Sequence, residues 1–196
     1  MIYEAKNFEK LLGTKGFSDQ LLNNHFALYQ GYVANLNKLS ETLRNMVKEG
    51  KIITAEYAEL KRRFGWEWNG MRLHEYYFGN IVKDGKEIDK KTNLYKKIVQ
   101  DFGSYEGWEK DFKATGVMRG IGWVILYYDD CEGHLFNTWI NEHDMGHLCG
   151  ARPLLIMDVF EHAYMIDYGL KRADYVDTFF KAIDWSIDPI VDALIK

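Results

Sequence analysis

Pro153-Leu154-Leu155-Ile156-Met157-Asp158-Val159-Phe160-Glu161-His162-Ala163-Tyr164 changes character in its middle. The first five residues form a short apolar run, the pattern of a buried strand. Asp158 follows at once, and a carboxylate at the end of such a run is costly to bury unless it is paired or bound to a cation. His162 stands four residues on and offers an imidazole, a second group of the ligand type. Asp-x-x-x-His is by itself a weak signal, because structural pairs with that spacing are common.

Outward from this stretch, composition narrows the classes. The 196 residues allow one or two compact units with a sizeable core. Hydrophobic residues make up 47% and aromatics 15%, which excludes a disordered chain and suits aromatic walls around a buried site. The formal net charge is -4, with both signs mixed along the chain, so no nucleic-acid partner is expected. No apolar run approaches the ~20 residues of a membrane span. Met1-Ile2-Tyr3-Glu4-Ala5-Lys6 lacks the basic start and apolar run of a secretion signal. Cys131 and Cys149 stand apart without C-x-x-C, which argues against a zinc knuckle. Two thiols without a secretion signal predict a reducing, cytoplasmic setting.

Residues 1–17 read as irregular, and Ser18 is the expected N-cap of a helix. That helix carries Leu21, Leu22, His25, Leu28, Tyr29, Tyr32, Val33, Leu36 and Leu39 on one face. His25 and Tyr32 are seven residues apart, two turns, and point the same way. A His on an apolar helix face is most often a core residue, so His25 and His74 gain weight only from their surroundings. Residues 38–53 read as a charged turn with Gly50 as the stop, and Thr54 opens a second helix reaching about Ile81. Lys83 to Lys91 is polar and glycine-punctuated, a linker. Helices are predicted near 92–102 and, capped by Ser104, near 105–114. A hairpin follows, with one strand ending at Asp129 and the other running from His134 to Ile140. The third strand spans 153–158, and helices near 174–183 and 187–195 finish the chain. The expected class is α+β: an N-terminal α-helical hairpin domain over 1–85, then a C-terminal α/β domain over 86–196 with a three-stranded antiparallel sheet.

Asp158 to Tyr164, D-V-F-E-H-A-Y, resembles the signature D-x-W/F-E-H-A-Y of the iron/manganese superoxide dismutases. Tyr32 to Asn37 resembles that family's Y-V-x-N-L-N, and Asn69 to Phe78 its N-G/A-x-x-x-H-x-x-Y/F-W/F. Gly120 to Leu126 resembles G-x-G-W-x-x-L, and Arg172 to Tyr175 resembles R-x-x-Y. The blocks come in the family's order from about residue 18 to 187. The resemblance implies that His25, His74, Asp158 and His162 bind one iron per subunit, with manganese as the alternative. It places Tyr32 in the substrate funnel, with Phe78, Trp123, Phe160 and Arg172 around the site. It implies a homodimer or homotetramer in which Glu161 reaches His162 of a second chain, with Tyr164 at the same interface. The implied activity is disproportionation of superoxide to dioxygen and hydrogen peroxide. A metalloprotein on the same fold with different redox or metal-storage chemistry is the alternative, and a structural protein with core histidines a third reading.

Three imidazoles and a carboxylate suit a first-row metal better than calcium or magnesium, and a redox role excludes zinc. Superoxide is an anion and the chain is net acidic, so attraction must be local; the resemblance points to Arg172. Two departures stand out. Most members set a Gln against the solvent at the metal, whereas this chain has Gly70 at the helical position. It resembles instead a subgroup, prominent in archaea, with N-H-x-x-x-H in the loop, through His143 and His147. His143 is expected in place of the Gln, with Glu142 as competitor. The second departure is in the first helix, where the family reads H-x-x-x-H-H-x-x-Y and this chain is one residue shorter between His25 and Tyr32. A regular α-helix is expected there in place of a π-bulge. Tyr164 should then lose its cross-chain imidazole partner, or find Tyr29 or a water instead.

Overall fold

The structure is a computed structural model describing residues 2–186 and 189–195. Serine and threonine start its long helices. α1 (Asp19–Lys48) begins after Ser18, whose hydroxyl accepts from the Leu21 N–H at 3.1 Å. α2 (Ala55–Gly79) begins after Thr54, which accepts from Tyr57 at 3.2 Å. Thr92 caps α3 (Asn93–Phe102) and Ser104 caps α4 (Tyr105–Gly116) in the same way. Each hydroxyl satisfies one of the N–H groups that a helix start leaves without a partner.

α1 runs past the point where a charged turn was expected. Residues 38–48 are helical, and the chain turns only after Lys48, at Gly50 with φ 71°. Leu39, Leu43 and Met46 keep the helical spacing and are buried, while Lys38, Glu41 and Arg44 cover the outer face. Charges that read as a turn are therefore the solvated side of a helix about 45 Å long. No π-type turn interrupts α1 between His25 and Tyr32, as the shortened spacing predicts. α1 and α2 form the expected hairpin.

The sheet has the order β2-β1-β3 and is antiparallel throughout. β1 (Gly122–Tyr128) is central and buried along its whole length, which explains its unbroken apolar and aromatic run. β2 (Leu135–Asn141) returns from the turn at 129–134, and β3 (Arg152–Asp158) lies on the other side. Register sets Trp123 opposite Asp158. The pairing slips between Leu126 and Tyr127, opposite Pro153, which has no N–H to give. α4 packs on the sheet, α6 (Arg172–Lys181) packs on α4, and α7 (Pro189–Leu194) closes the described chain. The expected start of that last helix at 187 lies outside the described residues. Three short elements escaped the sequence: 3-10 turns at Glu9–Leu11 and Glu161–Ala163, and the single-turn α5 (Met165–Tyr168).

One continuous core joins the helices to the sheet, through Leu21, Leu22, Tyr77, Phe78, Trp123 and Ile156. The linker is tied down where Ile81 bridges Ile183 and Val82 donates to the Ala182 carbonyl at 2.8 Å.

β1 begins at a glycine for a physical reason. Gly122 has φ 151°, and a Cβ there would lie 1.9 Å from the Ile140 carbonyl oxygen. Gly122→Ala should cost roughly 2–4 kcal/mol of stability. Urea unfolding checks this, and a midpoint equal to wild type would contradict it.

Candidate metal centre

Two helices and the end of the sheet each aim a polar side chain into the core. His25 comes from α1, His74 from α2 and Asp158 from the last position of β3; all three are fully buried. His162 comes from the 3-10 turn after β3, with its side chain 25% exposed. The Asp158 Oδ2 lies 3.2 Å from the Nε2 of His25, 3.2 Å from that of His162 and 3.7 Å from that of His74. One ligand atom from each of the four lies within 4.8 Å of every other.

Each group is held in the form a metal needs. His74 Nδ1 donates to the Gly70 carbonyl one helical turn back at 2.5 Å, so the bare Nε2 points inward. That Nε2 is buried and has no hydrogen-bond partner. A buried ring nitrogen without a hydrogen-bond partner, facing a carboxylate, is placed as a metal ligand is placed. Asp158 Oδ1 accepts from the Phe160 N–H at 2.8 Å, and its backbone carbonyl accepts from the Tyr175 hydroxyl at 2.6 Å. Its Oδ2 is thereby left for the imidazoles. His25 Nδ1 lacks a partner, and its Nε2 is the nitrogen that faces the Asp158 Oδ2 at 3.2 Å.

Electrostatics points the same way. Burial holds the His25 imidazole below its usual range and the His74 imidazole well below it, so both stay neutral. Burial pushes the Asp158 carboxyl up, but its interactions with His162 and His25 outweigh that and hold the group ionised. Neutral imidazoles and an ionised carboxylate are the ligand forms. An ion about 2.0–2.2 Å from each ligand leaves neighbouring ligand atoms roughly 3–4 Å apart, as the three imidazole nitrogens are from the Asp158 Oδ2. The residues therefore fit a first-row metal. Aromatic rings wall the site: Phe78 lies 4.9 Å from His25, Trp123 5.0 Å from His74 and Phe160 5.3 Å from His162, ring centre to ring centre.

Beside this cluster is a hydrogen-bonded pair. The Tyr32 hydroxyl lies 2.7 Å from His143 Nε2, and the Tyr32 ring lies 5.3 Å from that of His74. Gly70 makes this possible, since a Cβ there would come within 2.5 Å of the Tyr32 ring. His143 is buried, and burial lowers its imidazole to about 4. Trp123 Nε1, which can only donate, bonds to His143 Nδ1 at 3.0 Å. The neutral ring thus carries its hydrogen on Nε2 and donates it to the Tyr32 oxygen. Burial, with the charges of Asp158 and Glu67 behind it, raises the Tyr32 hydroxyl to about 12. His143, rather than Glu142, reaches this position because Glu142 turns the chain at φ 53° while Asn141 and Met145 pair across the loop.

Other expected residues are placed differently. Arg172 donates to the Met118 and Gly120 carbonyls at 2.6 and 2.8 Å, and twice to the Tyr164 hydroxyl at 3.2 and 3.1 Å. Arg172 is therefore a partner of Tyr164 within its own subunit. Tyr29 turns inward, donating to Glu75 at 3.0 Å and accepting from the Lys6 N–H at 2.9 Å. Glu161 is exposed beside His162. The sequence reading missed Glu75, a buried carboxylate bonded by Arg72 at 2.5 Å and Lys6 at 3.1 Å. It also missed Trp66, whose ring meets His143 edge-on at 4.8 Å and carries the Arg63 guanidinium 4.7 Å from its centre. The position of Glu75 beside His74 was the one available signal.

Known proteins agree with this geometry. Residues 90–188 match the family described as iron/manganese superoxide dismutases, C-terminal domain. The chain is 36% identical over 189 residues to the iron superoxide dismutase of Aquifex pyrophilus, covering 94% of this chain and 88% of that protein. It is 38% identical over 194 residues to the iron enzyme of Cupriavidus metallidurans, covering 94% and 93%. It is 36% identical over 169 residues to a manganese superoxide dismutase of Haloferax volcanii, covering 86% and 83%.

The histidines also set a pH dependence for the metal-free protein. His143 titrates near 4 when folded and near 6.5 as a free side chain, so the unfolded chain binds the proton first as pH falls. Its contribution to stability is complete above 6.5 and is lost as pH drops toward 4. His25 and His74 act with the same sign. The unfolding midpoint of metal-free protein in urea should fall steadily over that window; a midpoint that is flat or rises would contradict the burial of neutral imidazoles.

Proposed function

Because this chain belongs to the iron/manganese superoxide dismutase family and disproportionates superoxide to dioxygen and hydrogen peroxide, we propose that His25, His74, Asp158 and His162 hold one iron per subunit. Manganese is the alternative that the same ligands accept. The observation that carries this assignment is the convergence of three imidazole nitrogens on one buried carboxylate oxygen. The relatives matched over 94% of this chain are named for iron, which favours that metal. When bound, the metal supplies one-electron exchange: one superoxide gives up an electron and leaves as dioxygen, and a second takes it and, with two protons, leaves as hydrogen peroxide.

Tyr32 stands on the half-buried side of the site and provides a proton there. His143 fills one lone pair of the Tyr32 oxygen, which turns the hydroxyl hydrogen away from the imidazole. Because both nitrogens of His143 are engaged, His143 influences the site through Tyr32, in the place a Gln would take. Phe78, Trp123 and Phe160 keep water from the metal except on this side. Arg172 anchors Tyr164 to the segment at 118–120, so its charge sits in a brace as well as near the site.

We assign the chain to a homodimer, with a homotetramer also compatible. The Nε2 of His162 faces Asp158, which leaves Nδ1 toward the exposed side of the ring, where Glu161 of a second subunit can accept from it. Tyr164 lies at the same surface. A division near residue 85 remains the reading of the two parts. No described helix is long and apolar enough to cross a membrane, and Cys131 and Cys149 are exposed free thiols, which suits a reducing cytoplasm.

Three outcomes test these roles. Asp158→Ala should remove stoichiometric metal and turnover together, and elemental analysis showing full metal would contradict the ligand assignment. Tyr32→Phe should lower turnover at saturating superoxide about 10-fold or more while leaving the metal in place; it should also erase the alkaline loss of activity that follows ionisation of the phenol. Unchanged turnover and an unchanged pH profile in Tyr32→Phe would count against Tyr32 as proton donor. Glu161→Ala should shift sedimentation toward monomer at micromolar concentration, whereas an unaltered dimer with full metal would assign the interface elsewhere.

A further inference from the structure

The loop between β2 and β3 contains two histidines, and the mechanism so far uses only the first. His143 and His147 are four residues apart, and so are Trp123 and Tyr127 on β1, which project from the same face of that strand. The two pairs meet in register. Trp123 Nε1 donates to His143 Nδ1 at 3.0 Å, and the Tyr127 hydroxyl lies 2.7 Å from His147 Nδ1. His147 Nε2 lies 3.0 Å from the backbone carbonyl of His143. A carbonyl can only accept, so His147 carries its hydrogen on Nε2, and Nδ1 must accept from Tyr127. Burial raises the Tyr127 hydroxyl to about 12, which keeps it a donor. The Asn69 Nδ2, on the helix that bears His74, lies 3.5 Å from the same Nε2; with the hydrogen on that nitrogen both are donors, and they make no bond.

We propose that His147, held by Tyr127, is the positioning residue that fixes His143 against Tyr32. The loop needs such a brace. Glu142, directly before His143, sits at φ 53°, a conformation an L-residue keeps only when its surroundings impose it. The pairing of Asn141 with Met145 closes the loop on one side. The bond from His147 to the His143 carbonyl holds it on the other. One strand therefore places both histidines: Trp123 fixes the tautomer of the first, and Tyr127 holds the ring of the residue that anchors its backbone. Without His147, the His143 peptide is free to turn, and the hydrogen on Nε2 no longer meets the Tyr32 oxygen.

The experiment compares His147→Ala, His147→Gln, Tyr127→Phe and the double variant His147→Ala/Tyr127→Phe in the metal-loaded protein. Metal content should stay at one per subunit in all four, which separates this inference from failure of the ligand assignment. His147→Ala should lower turnover at saturating superoxide roughly 10-fold, with a smaller loss in kcat/KM, and should shift both the alkaline limb of the pH profile and the reduction potential. Tyr127→Phe should move the same quantities in the same direction but less. The double variant should be no worse than His147→Ala, because the two residues act in series. His147→Gln can donate to the His143 carbonyl and accept from Tyr127, so it should restore the pH profile and potential. If His147→Ala does not fold, Tyr127→Phe, which loses only a hydroxyl, and His147→Gln still decide. A wild-type pH profile and potential in His147→Ala or Tyr127→Phe, or additive losses in the double variant, would overturn the proposal.

Discussion

A carboxylate with no exposed surface, facing three imidazoles, is the constraint on which the rest of this molecule depends. Burying the Asp158 charge without compensation would cost far more than a protein's whole margin of stability. The Phe160 N–H and the imidazoles of His25 and His162 offset part of that cost. The remainder calls for a cation, since His74 Nε2 is turned inward with no partner. Metal binding and folding are in this sense one problem: the four groups come from two ends of the chain, and only a closed core brings them together.

The architecture serves that convergence. α1 and α2 cross the core as long rods, and rods set His25 and His74 more accurately than loops could. The sheet supplies the opposing side through register: with Trp123 opposite Asp158, one pairing places both a ligand and the indole that orients His143. Gly70 leaves the gap into which the Tyr32 ring fits, and Gly122 lets β1 start against the Ile140 carbonyl. Close approach at those two points is what permits an aromatic wall this dense.

Much of this was legible in the sequence because it is local. Caps at Ser18, Thr54 and Ser104, the apolar run of β3 and the hairpin of β1 and β2 all follow from short-range rules, and the ligand blocks stand at recognisable spacings. The charged stretch at 38–48 misled because net polarity masks helical periodicity; only Leu39, Leu43 and Met46 kept the signal. The partner of Tyr164 could not be read, since Arg172 reaches it through tertiary folding of α6 against the loop at 118–120. Glu75 and Trp66 were missed for the same reason: burial of a charge and packing of a ring on a distant loop leave no periodic trace. The tautomer of His143 depends on a donor from another strand, which no spacing within the loop reveals.

The central claim is that one redox metal sits among His25, His74, Asp158 and His162. Anomalous diffraction collected on either side of the iron and manganese absorption edges, from crystals of protein purified with its native metal, tests it most directly. The account predicts one strong peak per subunit, enclosed by the Nε2 atoms of the three histidines and the Oδ2 of Asp158, that vanishes below the edge of the resident metal. A peak elsewhere in the subunit, or none at this position in protein that turns over superoxide, would contradict it.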